Sequence, residues 1–294
     1  MVVATAAPPR RAHRPSPTPG AAQWRRPLRR LGFYVGLLVL LSPALFVFLW
    51  MLSLSLKPDV QNTAYPPVFI PTSPTLDHFR DVFASSPFGR YALNSFVVAS
   101  AATLLSLVIG VPAGYGIAKS RAYGLAFVVL ISRMTPGLSY LIPWFMLFRT
   151  LGLNNTLWAL IITHLVIGLP ITIWVMMGFF EDLHPELEEA ALVDGAGIWG
   201  AFRDIALPLA RPGMVVAAIL AFIFSWNNFI FAVVLAGPDT RTLPVAVFNV
   251  LTFEQLAWGK LAAAALVVTL PVLLLTVFVQ RQIVAGMTTG GMKG

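Results

Sequence analysis

Six blocks of apolar residues, each about as long as a bilayer is thick, constrain this 294-residue chain more than any other feature. They lie at about 31–56, 92–117, 123–148, 154–179, 213–236 and 260–280. A helix needs roughly 20 mainly apolar residues to cross the hydrocarbon core, whereas the strands of membrane barrels are alternating segments of roughly 10. With 57% hydrophobic residues, 11% charged and a mean hydropathy of +0.79, the chain would be soluble only if its apolar residues were spread periodically, and they come in blocks instead. The fold class read from this pattern is an all-α integral membrane protein with six transmembrane helices.

Charge orients the spans. The formal charge of +8 is not a nucleic-acid footprint, because Arg10, Arg11, Arg14, Arg25, Arg26, Arg29 and Arg30 crowd the tail ahead of the first span. Such a cluster is retained on the cytoplasmic side during insertion, where it can also touch anionic lipid. Both termini are therefore expected in the cytoplasm, with 57–91 and 237–259 outside and 180–212 and 281–294 inside. The apolar run after Arg30 exceeds a signal-peptide core and has no A-x-A site behind it, so it reads as a retained span. Residues 1–30, rich in Pro and Arg and without an acid, read as a disordered cytoplasmic tail, and 31–294 as the membrane domain.

The chain has no cysteine, and its four histidines lack metal-ligand spacing, so no metal site is expected. Prolines 112, 136, 143, 170 and 271 bend spans and require neighbours for the freed carbonyls, which implies a packed bundle. Gly110 and Gly114 form a small-xxx-small face for close helix contact. Arg133 is the one formal charge well inside a span, either functional or paired with neighbouring carbonyls or a carboxylate. His164 reads as a packed polar residue.

Seven of the 12 acidic residues fall between Glu181 and Asp204, in an otherwise oily chain: Glu181, Asp182, Glu186, Glu188, Glu189, Asp194 and Asp204. Within this island "HPELEEAALVDGAG" has the grammar of a short helix. Pro185 fits the first helical position, the glutamates favour the positive end of the dipole, and Gly195 and Gly197 provide the stop. A second helical run, "IWGAFRDIAL", is expected to end at Pro208. The result is a helix–turn–helix hairpin between spans four and five. Chemistry alone leaves its carboxylates open between a solvated face and a docking site. Catalysis is disfavoured for want of a histidine partner beyond His184, a metal-ligand set or a phosphate loop.

Glu189-Ala190-Ala191, three residues, Gly195, nine residues, Ile205, one residue and Leu207-Pro208 match every defined position of EAA-x3-G-x9-I-x-LP. By this pattern, together with "SLSLKP", "TLDHFRDVF", "NSFVVA", "LGLNNT", "SWNNFIFA" and "QRQIVAGMTTGGMKG", the chain resembles the permeases of carbohydrate-uptake ABC importers. The likeness is greatest to the smaller permease subunit of maltose-type sugar transporters. Asn228 departs from the family, many members of which carry an acid after Trp-Asn.

The resemblance implies a type I importer fold and a multi-pass protein of the cytoplasmic membrane. It implies that Glu188, Glu189, Ala190, Ala191, Asp194, Gly195, Ile205, Leu207 and Pro208 form a coupling hairpin seated in a cytosolic ABC ATPase dimer. Gly290, Gly291 and Lys293 would reach the same ATPase, and Glu254, Gln255 and Trp258 would face an extracellular solute-binding protein. A second permease would complete the pore. The chain itself is expected to be no enzyme and to bind no cofactor, with ATP and Mg²⁺ on the partner ATPase. Gly259-Lys260 is followed by Leu261 and lacks the upstream glycine of a phosphate loop. Arg133, Trp226, Asn227 and Asn228 are candidate substrate-path residues, with interhelical packing an equal explanation for the asparagines. The rival reading is a stand-alone secondary transporter or channel, which has no evident use for the hairpin.

Overall fold

The computed structural model describes residues 22–134, 136–250 and 257–290. It divides into two compact units at Trp50, and the first contains the described part of helix α1 (Ala22–Leu56) up to that residue. Helix α1 already includes Ala22–Arg30, which composition had assigned to the tail. Good helix formers such as Ala22, Gln23 and Leu28 continue the apolar run backwards through the basic cluster.

The second unit begins with two short helices, α2 (Asp59–Asn62) and α3 (Asp77–Ala84). They are held down by Lys57, whose Nζ donates to Val68 O at 2.7 Å, and by the His78 ring, 2.8 Å from Lys57 O. Helix α4 (Phe88–Ser120) and α7 (Leu157–Glu181) are long, unbroken and apolar, and each keeps an internal proline, Pro112 and Pro170. They pack closely through the glycine face: a Cβ on Gly110 would lie 2.7 Å from Thr172 Cγ2, and one on Gly114 2.9 Å from Met176 Cβ. Between them run α5 (Tyr123–Met134), a 3-10 turn (Gly137–Tyr140) and α6 (Leu141–Thr150).

The hairpin comprises α8 (Pro185–Val193), α9 (Ile198–Gly200), a π-helical turn (Ala201–Ala206) and α10 (Leu207–Leu209). Then follow α11 (Arg211–Trp226), α12 (Ile230–Leu235), α13 (Leu243–Val250) and α14 (Trp258–Gly290). Among the described residues, one apolar core gathers Phe88, Tyr91, Trp226, Leu243 and Ala263. A second joins Val98, Phe148, Leu160 and Phe231, and a third Val111, Tyr115, Met176, Phe180 and Phe202.

Among the described residues all six apolar blocks are helical, but four are uninterrupted helices long enough to cross a membrane. The third is broken: α5 and the Gly137–Thr150 stretch meet at 83°. Pro136, with φ −57° and ψ 127°, is extended, and its ring and missing N–H block a continuous ladder. The fifth breaks between α11 and α12, where the Asn227 side chain doubles the last backbone bond of α11 and that of Asn228 caps the first turn of α12. Asn227 Nδ2 donates to Ile223 O at 2.9 Å, and Asn228 Oδ1 accepts the Phe231 N–H at 3.4 Å. The last helix continues past residue 280 to Gly290.

Candidate functional site

Helix α8 begins and ends for local reasons. Pro185 needs no N–H partner in the first turn, and His184 before it is extended. At the other end the Gly195 N–H donates to Leu192 O at 3.1 Å and the Ala196 N–H to Ala191 O at 2.9 Å. These are the paired bonds of a Schellman stop, which needs a left-handed residue, and Gly195 supplies it at φ +88°. A Cβ there would meet nothing in this chain within 4 Å, so the backbone conformation, not crowding, calls for glycine.

The returning arm is anchored from below. Phe202 and Ala206 are buried, with the Phe202 ring 4.7 Å from Tyr115 of α4 and the Tyr115 ring 5.2 Å from Phe180 of α7. This arm runs one residue beyond the expected stop, with Pro208 carried inside the short α10. The axis then turns by 73° between Ile198–Leu209 and Arg211–Trp226.

The adjacent glutamates point to different surroundings. Glu188 is 6% exposed. Tyr115 donates its hydroxyl to Glu188 Oε2 at 2.8 Å, and Lys119 Nζ stands 2.8 Å from Oε1. Tyr115 and Lys119 are one turn apart on α4, and the ammonium also lies 5.8 Å from the Tyr115 ring centre. Glu188 therefore faces inward and fastens the hairpin to α4; it is not one of the outward anchors with which the sequence grouped it. Glu189, Ala190, Asp194 and Gly195 are exposed, while Ala191, Ile205, Leu207 and Pro208 are half-buried. Beside Glu189 the hairpin also exposes apolar side chains: Val193, Ile198 and Trp199 are 87%, 74% and 68% exposed.

The candidate substrate-path residues separate in the same way. A cavity of about 400 Å³ opens between α5, the 3-10 turn, α6, α7 and α12, with Ser132, Arg133, Tyr140, Trp144, Thr163 and Asn228 in its wall. Arg133 and Asn228 thus meet at one space. Trp226 does not reach it: the residue is buried, stacks on Phe222 at 5.6 Å and donates Nε1–H to Val268 O at 3.0 Å, a packing role. Asn227 closes α11, as described above. His164 is buried with Nδ1 2.7 Å from Ser225 Oγ, the packed polar residue expected.

Trp258 opens α14 and is exposed, whereas Glu254 and Gln255 lie outside the described residues. Gly290 is the last residue of α14, and Gly291 and Lys293 also lie outside the described residues. Sequence reasoning missed Tyr115, Lys119, Tyr140 and Trp144. Each pair is spaced i, i+4, the spacing that puts two side chains on one helix face, and that signal could have found them.

Comparison with known proteins agrees with this geometry. Residues 106–289 match the family described as "Binding-protein-dependent transport system inner membrane component". The chain is 37% identical over 257 residues to the trehalose transport system permease protein SugB of Mycobacterium tuberculosis, covering 85% of this chain and 93% of the relative. It is 35% identical over 274 residues to the sulfoquinovosyl glycerol transport system permease protein SmoH of Agrobacterium fabrum, covering 92% and 94%. It is 30% identical over 275 residues to the trehalose/maltose transport system permease protein MalG of Thermococcus litoralis, covering 91% and 98%. Among solved structures, a chain of a bacterial ABC transporter involved in the import of the acidic polysaccharide alginate superposes with a TM-score of 0.72 at 22% identity. That match covers 90% of this chain and 99% of the other, a likeness of fold.

Proposed function

We infer the function from one premise: the chain belongs to the family of binding-protein-dependent transport system inner membrane components. It is a multi-pass membrane permease subunit, and its relatives are transporter subunits rather than enzymes. Its cargo is a sugar, a di- or oligosaccharide or a derivative, in line with the trehalose, maltose and sulfoquinovosyl glycerol named for its relatives.

The observation that carries the coupling role is the division of the hairpin into two faces. One face is tied to α4 through Glu188 and to the third core through Phe202. The other presents Glu189, Val193, Ile198 and Trp199, which stay largely exposed even though the Trp199 ring lies 5.1 Å from that of Phe202. A cytosolic ATPase pair seats that outer face, with Glu189 as its charged anchor, and ATP with Mg²⁺ is bound and hydrolysed there. Gly290, Gly291 and Lys293 extend the same contact.

A second permease completes the pathway, and a solute-binding protein delivers sugar on the side of 57–91, near Glu254, Gln255 and Trp258. Both termini are cytoplasmic, and the arginine-rich tail meets anionic lipid. The test is purification of this chain from native membranes followed by reconstitution. An ATPase and a second permease should accompany it, and uptake should require ATP. Sugar uptake by this chain alone, driven by an ion gradient, would return the secondary-carrier reading.

A further inference from the structure

We propose that the sugar carried past this chain bears an oxyanion, a carboxylate or sulfonate, and that Arg133 receives it; the proposal rests on the sugar-permease reading above. Charge balance in the membrane domain points to it. Arg133 closes α5 at the wall of the 400 Å³ cavity, in the middle of the third apolar block. Its Nη1 donates to Ile167 O at 3.0 Å, and its guanidinium carbon lies 4.8 Å from the Phe224 ring centre. Both partners orient the group, and both are neutral.

No carboxylate in the spans can balance it. The 12 acidic residues are Asp59, Asp77, Asp81, Glu181, Asp182, Glu186, Glu188, Glu189, Asp194, Asp204, Asp239 and Glu254. None lies between Asp81 and Glu181, between Asp204 and Asp239, or after Glu254. The ion pairs among the described residues join His78 to Asp59, Arg80 to Asp77, Arg90 to Asp239, Lys119 to Glu188 and Arg203 to Asp204. A cation inside a membrane domain is costly unless it is paired, and it faces protein or a water-filled space. Here it faces a cavity of small-molecule size that this chain's own helices form.

A guanidinium has five N–H donors in a planar fork, of which the Ile167 carbonyl takes one. The rest suit a planar or tetrahedral oxyanion, which can accept two parallel bonds. The same wall holds groups suited to a sugar: the rings of Tyr140 and Trp144 for its apolar face, and Ser132 and Asn228 for its hydroxyls. A neutral sugar would use those groups and leave the charge unanswered.

The test uses the whole transporter, with its second permease, ATPase and binding protein, in proteoliposomes. ATP-driven uptake is measured for maltose and trehalose, for a disaccharide ending in glucuronic acid, and for a 6-sulfonated glucoside. We expect uptake of an acidic probe and not of the neutral pair. Arg133→Gln should lower it at least tenfold while the second permease and ATPase still co-purify, and Arg133→Lys should fall between. Uptake of maltose or trehalose in preference to both acidic probes would overturn the proposal and leave the permease reading intact. So would wild-type uptake of an acidic probe by Arg133→Gln. Loss of the second permease from the Arg133→Gln complex would place the missing carboxylate in that partner and overturn it as well. No ATP-driven uptake of any probe by the wild-type complex would overturn this proposal too, and pull-down of the partner subunits would then show whether the permease reading fails with it.

Discussion

Tyr115 and Glu188, 73 residues apart in the chain, meet through a 2.8 Å hydrogen bond from phenol to carboxylate. With Lys119 on the other oxygen, that bond makes the hairpin and α4 one mechanical piece. Glu188 and Glu189 are neighbours in sequence, yet one holds the hairpin to its own chain and the other is offered outward.

Their variants should therefore fail differently. Glu188→Gln keeps the shape but weakens a charge-assisted pair, by about 1–3 kcal/mol after allowing for the part-exposed Lys119. The ATPase should still co-purify, while sugar transported per ATP hydrolysed falls. Glu189→Ala should reduce ATPase recruitment itself, by roughly 2–5 kcal/mol if the contact is buried and roughly 0–1 kcal/mol at a solvated rim. Equal coupling ratios in Glu188→Gln and wild type would remove Glu188 from the transmission.

Gly195 tests the backbone. A residue with a Cβ at φ +88° costs roughly 1–2 kcal/mol even though the space beside it is open. Gly195→Asn should be the mildest substitution and Gly195→Val severe. Gly195→Asp adds a charge to the proposed docking face and should reduce both ATPase co-purification and uptake. Membrane levels should stay normal in all three, as immunoblotting of membrane fractions would show.

Trp226 and Asn228 should also separate. Trp226→Ala empties a packed core position and removes the bond to Val268 O, so about 3–5 kcal/mol is lost. The expected readout is a low yield of folded protein and a reduced melting temperature in detergent. Asn228→Ala, at the cavity wall, should fold normally and change uptake. A stable Trp226→Ala protein with only a transport defect would restore Trp226 to the substrate path.

Orientation is open to labelling because the chain has no cysteine. Val60 and Val193 are 81% and 87% exposed, so a thiol at either site is reachable. In intact cells lacking the ATPase, an impermeant maleimide should modify Val60→Cys, and Val193→Cys only after permeabilisation. The reverse pattern would place the hairpin outside and exclude ATPase docking.

Much of this architecture was legible in the letters. The stop at Gly195 and the start at Pro185 are local events, set by φ and by a missing N–H, so sequence grammar reaches them. Pro136 and Asn227-Asn228 were visible too. Whether a proline bends a span, as Pro136 does, or is absorbed, as Pro112 is, depends on what packs around it. The inward turn of Glu188 was invisible: two identical letters side by side differ by about 100° around a helix, and only the partner decides which faces in. Helices α2, α3 and α13 were missed for a related reason. They are too short for a span pattern, and contacts such as Lys57 to Val68 O and His78 to Lys57 O, which hold the segment carrying α2 and α3, join residues 11 and 21 positions apart.

Helix α4 grips both ends of its unit. Near its start, Asn94 Nδ2 donates to Asp239 O and Arg241 O, each at 2.9 Å, and Arg90 pairs with Asp239 at 2.8 Å. Near its finish, Tyr115 and Lys119 hold the hairpin. A helix of 33 residues is about 50 Å long, and it transmits a push as a strut does, without needing any relay of side chains. A tug on the hairpin should therefore be felt at the turn around Asp239, at the other end of the helix, unless the strut buckles. Pro112 is where it would give.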